Sequence, residues 1–253
     1  MSVRVGTVPE ITRPGVGVIK VSTWRVGTPQ RQRATVDAIE KAWRSRDWPD
    51  GGLLSYSVMV GEDGQTLLHY SQWRDEAAYE DFFRTGRDTR NAEIDAAVPG
   101  IERVGLNSYE LYRSGEPAEG DTRVPGCVVI VDVEFEGPDP ARQRAWTDAV
   151  FAALDSDPYE QSAGIAAYFH TSVDGTRVLN YAEWENAEGH IAALSAPGKG
   201  IGSSTEQWEK VQSFPGLAGS TVAALALRGG DGVTHGRPGP VVRILPGSRS
   251  LAR

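Results

Sequence analysis

His69 and Trp73 stand either side of Ser71, and Asn180 and Trp184 repeat that spacing around Ala182. In an extended segment alternate side chains share a face, so each set puts a hydrogen-bonding group, a small residue and an indole on one side of a strand. The small residue leaves room between two large ones. A polar group beside an aromatic surface with a gap between them suits the wall of a pocket for a flat aromatic ligand. The plainer alternative is that the indoles are core or rim, and that His69 and Asn180 satisfy neighbouring backbone groups.

The elements that would position these residues are duplicated. Asp63-Gly64 to Trp73 returns as Asp174-Gly175 to Trp184 at a shift of 111 (184 − 73), and the same shift takes Pro29 to Pro140, Gln32-Arg33 to Gln143-Arg144 and Gly15 to Gly126. One register held over so many positions is a tandem repeat. In the first copy Val16 to Arg25 alternates as a strand, and Thr28-Pro29 caps and starts a helix that carries Val36, Ile39, Ala42 and Trp43 on one face. Leu53 to Gly61 and Thr66 to Trp73 form a hairpin across the Asp-Gly turn. A second helix, whole or broken, runs from Asp75 to about Ala97, and Ile101 to Tyr112 is the last strand. The second copy follows the same plan from Val128 to Leu227.

The order β-α-β-β-α-β is the ferredoxin-like unit, so the expected class is α+β. The domain reading is an arm at 1–14, a first domain at 15–114, a linker at 115–125, a second domain at 126–228 and a Gly/Pro/Arg-rich tail at 229–253, in which Val241 to Leu245 could add an edge strand. A four-stranded sheet with both helices on one face leaves the other face needing cover. Two such sheets in one chain can cover each other, which predicts an intramolecular α/β-barrel. The glycine-rich insertion Ala196 to Ser204 follows a helix and lacks the phosphate-loop spacing, so it does not read as a nucleotide cradle.

Composition removes several classes. A formal charge of −8 argues against a nucleic-acid partner, and no apolar run approaches the roughly 20 residues that would span a membrane. The amino-terminal stretch has no continuous apolar core and Cys127 is the only cysteine, so neither a secretory signal nor an intrachain disulfide is expected and the cytoplasm is the default. Cys127 opens a strand, where a buried inert thiol is expected. The four histidines show no metal-ligand spacing; His170 and His235 have no evident partner. Neither a Gly-x-Ser-x-Gly elbow nor a dinucleotide fingerprint is present.

The pattern Asn180-x-x-x-Trp184 at a strand end, inside a β-α-β-β-α-β domain that pairs into a barrel, resembles the dimeric α/β-barrel superfamily. Within it the chain is most similar to the antibiotic biosynthesis monooxygenases, over both halves from Gly15 to Arg228. That resemblance implies oxidation of an aromatic polyketide, an anthrone or phenol going to a quinone or hydroxylated product, with molecular oxygen as co-substrate and neither metal nor flavin. The implied partner is an aromatic small molecule, with no nucleic acid and no membrane; whether the two-domain chain forms a homodimer is left open.

In that family the Asn and Trp line a pocket between the sheet and its own helices, and a Tyr six residues after the Trp reaches in. This chain divides the set: one half has Asn180 and Trp184 with His190 at the Tyr position, the other has Trp73 and Tyr79 with His69 at the Asn position. Phe83 and Leu194 occupy the place of the haem-ligating His of a related haem-degrading branch. The implied roles are oxyanion donation by Asn180 or His69, stacking or N–H donation by Trp184 or Trp73, general base catalysis by His190, and a hold on a substrate hydroxyl by Tyr79. Because the halves differ, one is expected to be catalytic, leaning to the second, which keeps Asn180 and Trp184. A polyketide cyclase on the same fold and a non-catalytic ligand-binding or stress-associated barrel are the rival readings.

Overall fold

The computed structural model describes residues 2–5, 8–49, 51–156, 163–195, 205–226 and 242–245. The glycine-rich segment 196–204 and most of the tail, including His235, lie outside the described residues. The chain forms two compact units, one of Met1–Ser108 with Ala226–Arg253 and one of Tyr109–Leu225.

Unit 1 contains β1 (Ser2–Val5), β2 (Val18–Arg25), α1 (Pro29–Arg44), β3 (Leu53–Gly61), β4 (Thr66–Trp73), α2 (Glu76–Thr85), α3 (Arg87–Ala97), the first part of β5 (Glu102–Gly115) and β10 (Val242–Leu245). Its strands lie in the order β1-β10-β3-β4-β2-β5, the ferredoxin-like order with two strands added beside β3. β10 runs antiparallel to β3, with Val242 opposite Val58 and Ile244 opposite Tyr56. Local chemistry sets the helices as expected. Thr28 caps α1 by accepting from Arg31 N, with Pro29 in the first turn, and Asp75 caps α2 by accepting from Ala78 N at 2.8 Å. The second helix is broken at Gly86.

Unit 2 contains the end of β5 from Tyr109, β6 (Cys127–Phe135), α4 (Pro140–Ser156), β7 (Gly164–Ser172), β8 (Arg177–Trp184), α5 (Ala187–Ser195), α6 (Glu206–Gln212) and β9 (Leu217–Ala226). The order is β5-β7-β8-β6-β9, the same unit with one strand added beside β7. The first repeat's last strand therefore does not stop at residue 114 as a member of unit 1 alone: Tyr109 to Gly115 pairs with β7, Tyr109 opposite Ser172.

The repeat is visible in side-chain detail. Gln32 Nε2 donates to Gly61 O at 2.9 Å and Thr66 O at 2.8 Å, tying α1 across the base of the hairpin; Gln143 Nε2 does the same to Ser172 O at 3.2 Å and Arg177 O at 2.5 Å. Gly64 and Gly175 take the left-handed conformation at the two turns (φ +69° and +77°), and a Cβ there would meet Pro29 at 2.8 Å or Asp139 and Pro140 at 3.0–3.1 Å. One part of the sequence alignment moves. Val18 pairs with Trp73 and Cys127 with Trp184, so the first strands are related by 109 residues (127 − 18) and Gly126 aligns with Gly17, not Gly15. The loop between first strand and helix is two residues longer in the second copy, and the apparent 111 shift at Gly15 is coincidental.

Unit 1 has a core of α1 and α3 residues packed on the sheet, including Ile39, Trp43, Val58, Leu67 and Ile94. Unit 2 has one cluster around Trp146, Phe151, Phe169 and Trp208 and a smaller one around Cys127, Val129, Ala182 and Trp184. Burying each large apolar side chain contributes roughly 1.5–3 kcal/mol, so both units have cores of their own. Among the described residues no helix is long and apolar enough to cross a membrane.

Candidate active site

Unit 1 has a half-open cavity of about 310 Å³ between its sheet and its helices. The sheet wall is Lys20, Ser22 and Trp24 from β2, Leu53 and Tyr56 from β3, His69, Ser71 and Trp73 from β4, and Arg103 from β5. The helix wall is Trp43 from α1, Tyr79 and Phe82 from α2, and Arg87, Arg90, Asn91 and Ile94 from α3. Three of the residues singled out from sequence, His69, Trp73 and Tyr79, are brought together here, and the expected alternation on β4 holds, with Ser71 as the small residue between.

His69 is 5% exposed, and its Nδ1 lies 2.6 Å from the Tyr56 hydroxyl. Burial, with Arg103 adding like charge, lowers the imidazole pKa to about 3, so the ring is neutral at pH 7. Burial also holds the Tyr56 phenol well above its ordinary range, opposed by Arg103, and it keeps its proton. The hydroxyl donates to Nδ1, and this network assigns the ring hydrogen to Nε2. That Nε2 is shielded from solvent and has no partner among the described residues. The Trp24 ring tilts over His69 with centroids 4.1 Å apart.

Trp73 is buried, and its indole N–H donates to Ser71 Oγ at 2.9 Å, so the donor that could have met a substrate is taken within its own strand. Its ring meets Tyr79 edge-on at 5.4 Å and Phe82 at 5.3 Å. Tyr79 is half-buried, its pKa raised mainly by desolvation, and the Lys20 ammonium sits 4.1 Å from its ring centroid. Lys20 is itself buried, bonded to the Glu76 carboxylate and to Ser108 Oγ at 2.6 Å.

The other three candidates lie in unit 2. Asn180 is half-buried with its Oδ1 unpartnered. Trp184 is buried in the cluster with Cys127, Val129 and Ala182, ringed by Ala163, Ala167, Ala187 and Ala193. His190 is buried, not on a solvated helix face, and lies edge-on to Trp184 at 5.0 Å; desolvation lowers its pKa. Cys127 is buried, and His170 finds the partner the sequence did not reveal, with Nδ1 3.2 Å from Leu179 O. The sequence leans to the second half, whereas the cavity described above belongs to the first. Among the described residues no three His, Cys, Asp or Glu side chains are grouped to hold a metal ion.

Tyr56, Lys20, Arg90 and Arg103 escaped the sequence reading. Tyr56 was hidden by a β-bulge: the register of β3 against β4 slips between Leu53 and Ser55, so strict alternation from Leu53 would turn Tyr56 to the wrong face. The same slip occurs between Gly164 and Ala166. Lys20 did leave a signal, as one of four lysines and a charge inside an apolar strand.

No protein-family model matches the chain, and no curated protein sequence matches it. Among solved structures, an anthrone oxidase-like protein superposes with a TM-score of 0.60 at 17% identity, covering 84% of this chain and 91% of its own. A candidate monooxygenase from Fusobacterium nucleatum superposes with a TM-score of 0.50 at 14% identity, covering 85% and 94%. A monooxygenase of Streptomyces coelicolor, solved with nanaomycin D, is 28% identical over 46% of this chain and 99% of its own, with a TM-score of 0.33. The tandem ferredoxin-like fold of this chain is thus one it shares with the anthrone oxidase-like and monooxygenase-like proteins of solved structure.

Proposed function

We propose that the protein is a monooxygenase that oxidises an oxygenated aromatic substrate, an anthrone or related phenol, with molecular oxygen in the cavity of unit 1 and without a metal or flavin. The observation that carries this reading is the neutral His69, held at Nδ1 by Tyr56 with its Nε2 hydrogen unmatched, in a cavity walled by Trp24, Trp73 and Tyr79. A cavity of 310 Å³ falls at the lower end of small-molecule pockets and suits a flat, fused-ring ligand.

Loss of a proton from the methylene carbon of an anthrone leaves an anion whose charge collects on the carbonyl oxygen. The Nε2–H of His69 stabilises that oxyanion, as a preorganised donor in a low-dielectric site. The substrate supplies all four electrons that oxygen needs: the anion's pair bonds one oxygen atom to the carbon as a hydroperoxide, loss of the second methylene hydrogen then breaks the O–O bond, and one oxygen atom becomes the new carbonyl while the other leaves as water with the two methylene hydrogens. The Tyr79 hydroxyl makes no hydrogen bond to a described residue and takes a second ring oxygen, while the aromatic walls exclude water from the anion.

Oxygen uptake by metal-stripped, colourless protein given 1,8-dihydroxyanthrone tests this, with anaerobic and protein-free controls for autoxidation. Uptake above the controls with quinone formed supports the reading; uptake no faster than autoxidation, with the anthrone bound, turns it toward a cyclase or a binding protein.

A further inference from the structure

Lys20, Arg87, Arg90 and Arg103 line the cavity of unit 1, and no acidic residue among the described ones does. The chain as a whole carries a formal charge of −8, so this cationic lining runs against its composition. Three of the four are matched from outside the lining. Lys20 meets Glu76, Arg87 meets Asp88 at 3.1 Å, and Arg103 meets Asp95 at 2.9 Å.

Arg90 is different. It is 6% exposed and, among the described residues, contacts no carboxylate: Nη1 donates to Gly86 O at 2.8 Å, Nη2 donates to Asp47 O at 3.1 Å, and Nε has no acceptor. Its guanidinium lies 4.7 Å from the Trp43 ring and 5.5 Å from Phe82. Glu93, the acid that acts on it through space, is gripped in a two-pronged pair by Arg46. A guanidinium stays charged at neutral pH even when burial disfavours it, and a buried cation without an anion is costly. Every unmatched buried polar atom on the cavity's lining residues is a nitrogen on a donor side, at His69, Arg90 and Arg103, so the missing partner is one rich in acceptors.

We propose that the aromatic substrate carries a carboxylate, which Arg90 receives on the α3 wall with Arg87 and Asn91 beside it, while the oxygenated ring faces His69 on the sheet wall. This rests on reading the cavity as the substrate site. Arg90 is then the residue that separates acidic from neutral aromatics.

The test uses the full chain and ligands that cannot turn over: 1,8-dihydroxyanthraquinone-3-carboxylic acid and its methyl ester, followed by quenching of the tryptophans, three of which line the cavity. At pH 7.5 the acid should bind at least about tenfold more tightly than the ester. Arg90→Gln should bring the two affinities together, and Arg90→Lys should restore part of the difference. Equal binding of acid and ester by the wild-type protein overturns the proposal, and so does absence of quenching by either. That comparison needs no variant and stands even if Arg90→Gln fails to fold. A preference that survives in a folded Arg90→Gln protein overturns the assignment to Arg90. Oxygen uptake with the two corresponding anthrones is read separately. Acid preference without uptake keeps the carboxylate site and sinks the oxygenase reading; uptake without preference does the reverse.

Discussion

Aligned through their strand registers, the cavity wall of unit 1 and its counterpart in unit 2 put different side chains on one scaffold. Lys20, Ser22 and Trp24 face the cavity where Val129, Val131 and Val133 stand in the second copy, and Tyr56, Ser71 and Phe82 correspond to Ala167, Ala182 and Ala193. Trp73 is retained as Trp184, while His69 becomes Asn180 and Tyr79 becomes His190. What turns and braces the chain is the same in both: the glutamine tie, the glycine seated on a proline and the bulge before the hairpin. The duplication has kept the residues that make the fold and changed those that face the space beneath it. Hydrogen-bonding and aromatic groups are concentrated in the first copy.

The most direct way to break this contrast is to remove the polar group from each copy. His69→Ala should lower kcat for anthrone oxidation by about 100-fold, the scale of losing one oxyanion donor, while Asn180→Ala should change it by less than about threefold. The reverse outcome, read by oxygen uptake, would move the active site to unit 2. The scaffold half of the contrast predicts symmetry. Gln32→Ala and Gln143→Ala each remove two side-chain hydrogen bonds to backbone carbonyls, of which Gly61 O and Ser172 O keep a turn N–H as donor, and should each cost about 1–2 kcal/mol in urea unfolding; unequal losses would show that the shared geometry is not equally important.

Two swaps between the copies sharpen the comparison through pH. Glu183, the counterpart of Gln72 at the 111 shift, is buried, and desolvation with the nearby Glu116 raises its pKa to about 7. The unfolded chain gives up that proton near 4.5 but the folded one holds it, so stability is lost as pH rises toward 7 and stays lost above it. Glu183→Gln should therefore stabilise by about 2 kcal/mol at pH 8 and by nothing below pH 4.5. His69→Asn works in the opposite direction. With a folded pKa of about 3 against an ordinary 6.5, the unfolded chain takes a proton first, and the wild type loses stability as pH falls from 6.5 toward 3. The variant should be spared about 1 kcal/mol per pH unit over that window, measured as denaturation midpoints from pH 7 to 4.

The strands, the Asp-Gly turns, the capped helices and the duplication could be read from residue type and period because each depends on neighbours in sequence. So could the face shared by His69, Ser71 and Trp73. What could not be read depends on slips and distances. The bulge at Leu53 turned Tyr56 inward against the alternation, and the two-residue longer loop before α4 displaced the first-strand alignment that would have set Lys20 against Val129. Arg90 and Arg103 arrive from a helix and a strand whose docking no local pattern encodes. The lean toward the second copy rested on Asn180 and Trp184 alone, and the character of a cavity lining is a property of seven elements together.

The strand opposite Tyr56 on its second edge comes from the far end of the chain: Ile244 of β10 pairs with it, while unit 2 occupies the sequence between. A ribosome makes these parts in order. Unit 2, contiguous from Tyr109 to Leu225, can finish folding while the stretch of β3 around Tyr56 still lacks β10. The unit that holds the cavity is thus begun before unit 2 and completed after it. Until then Tyr56 to Val58 lack the strand that pairs with them in the finished sheet, and residues 242–245, by taking up those backbone groups, close that stretch to pairing with another chain.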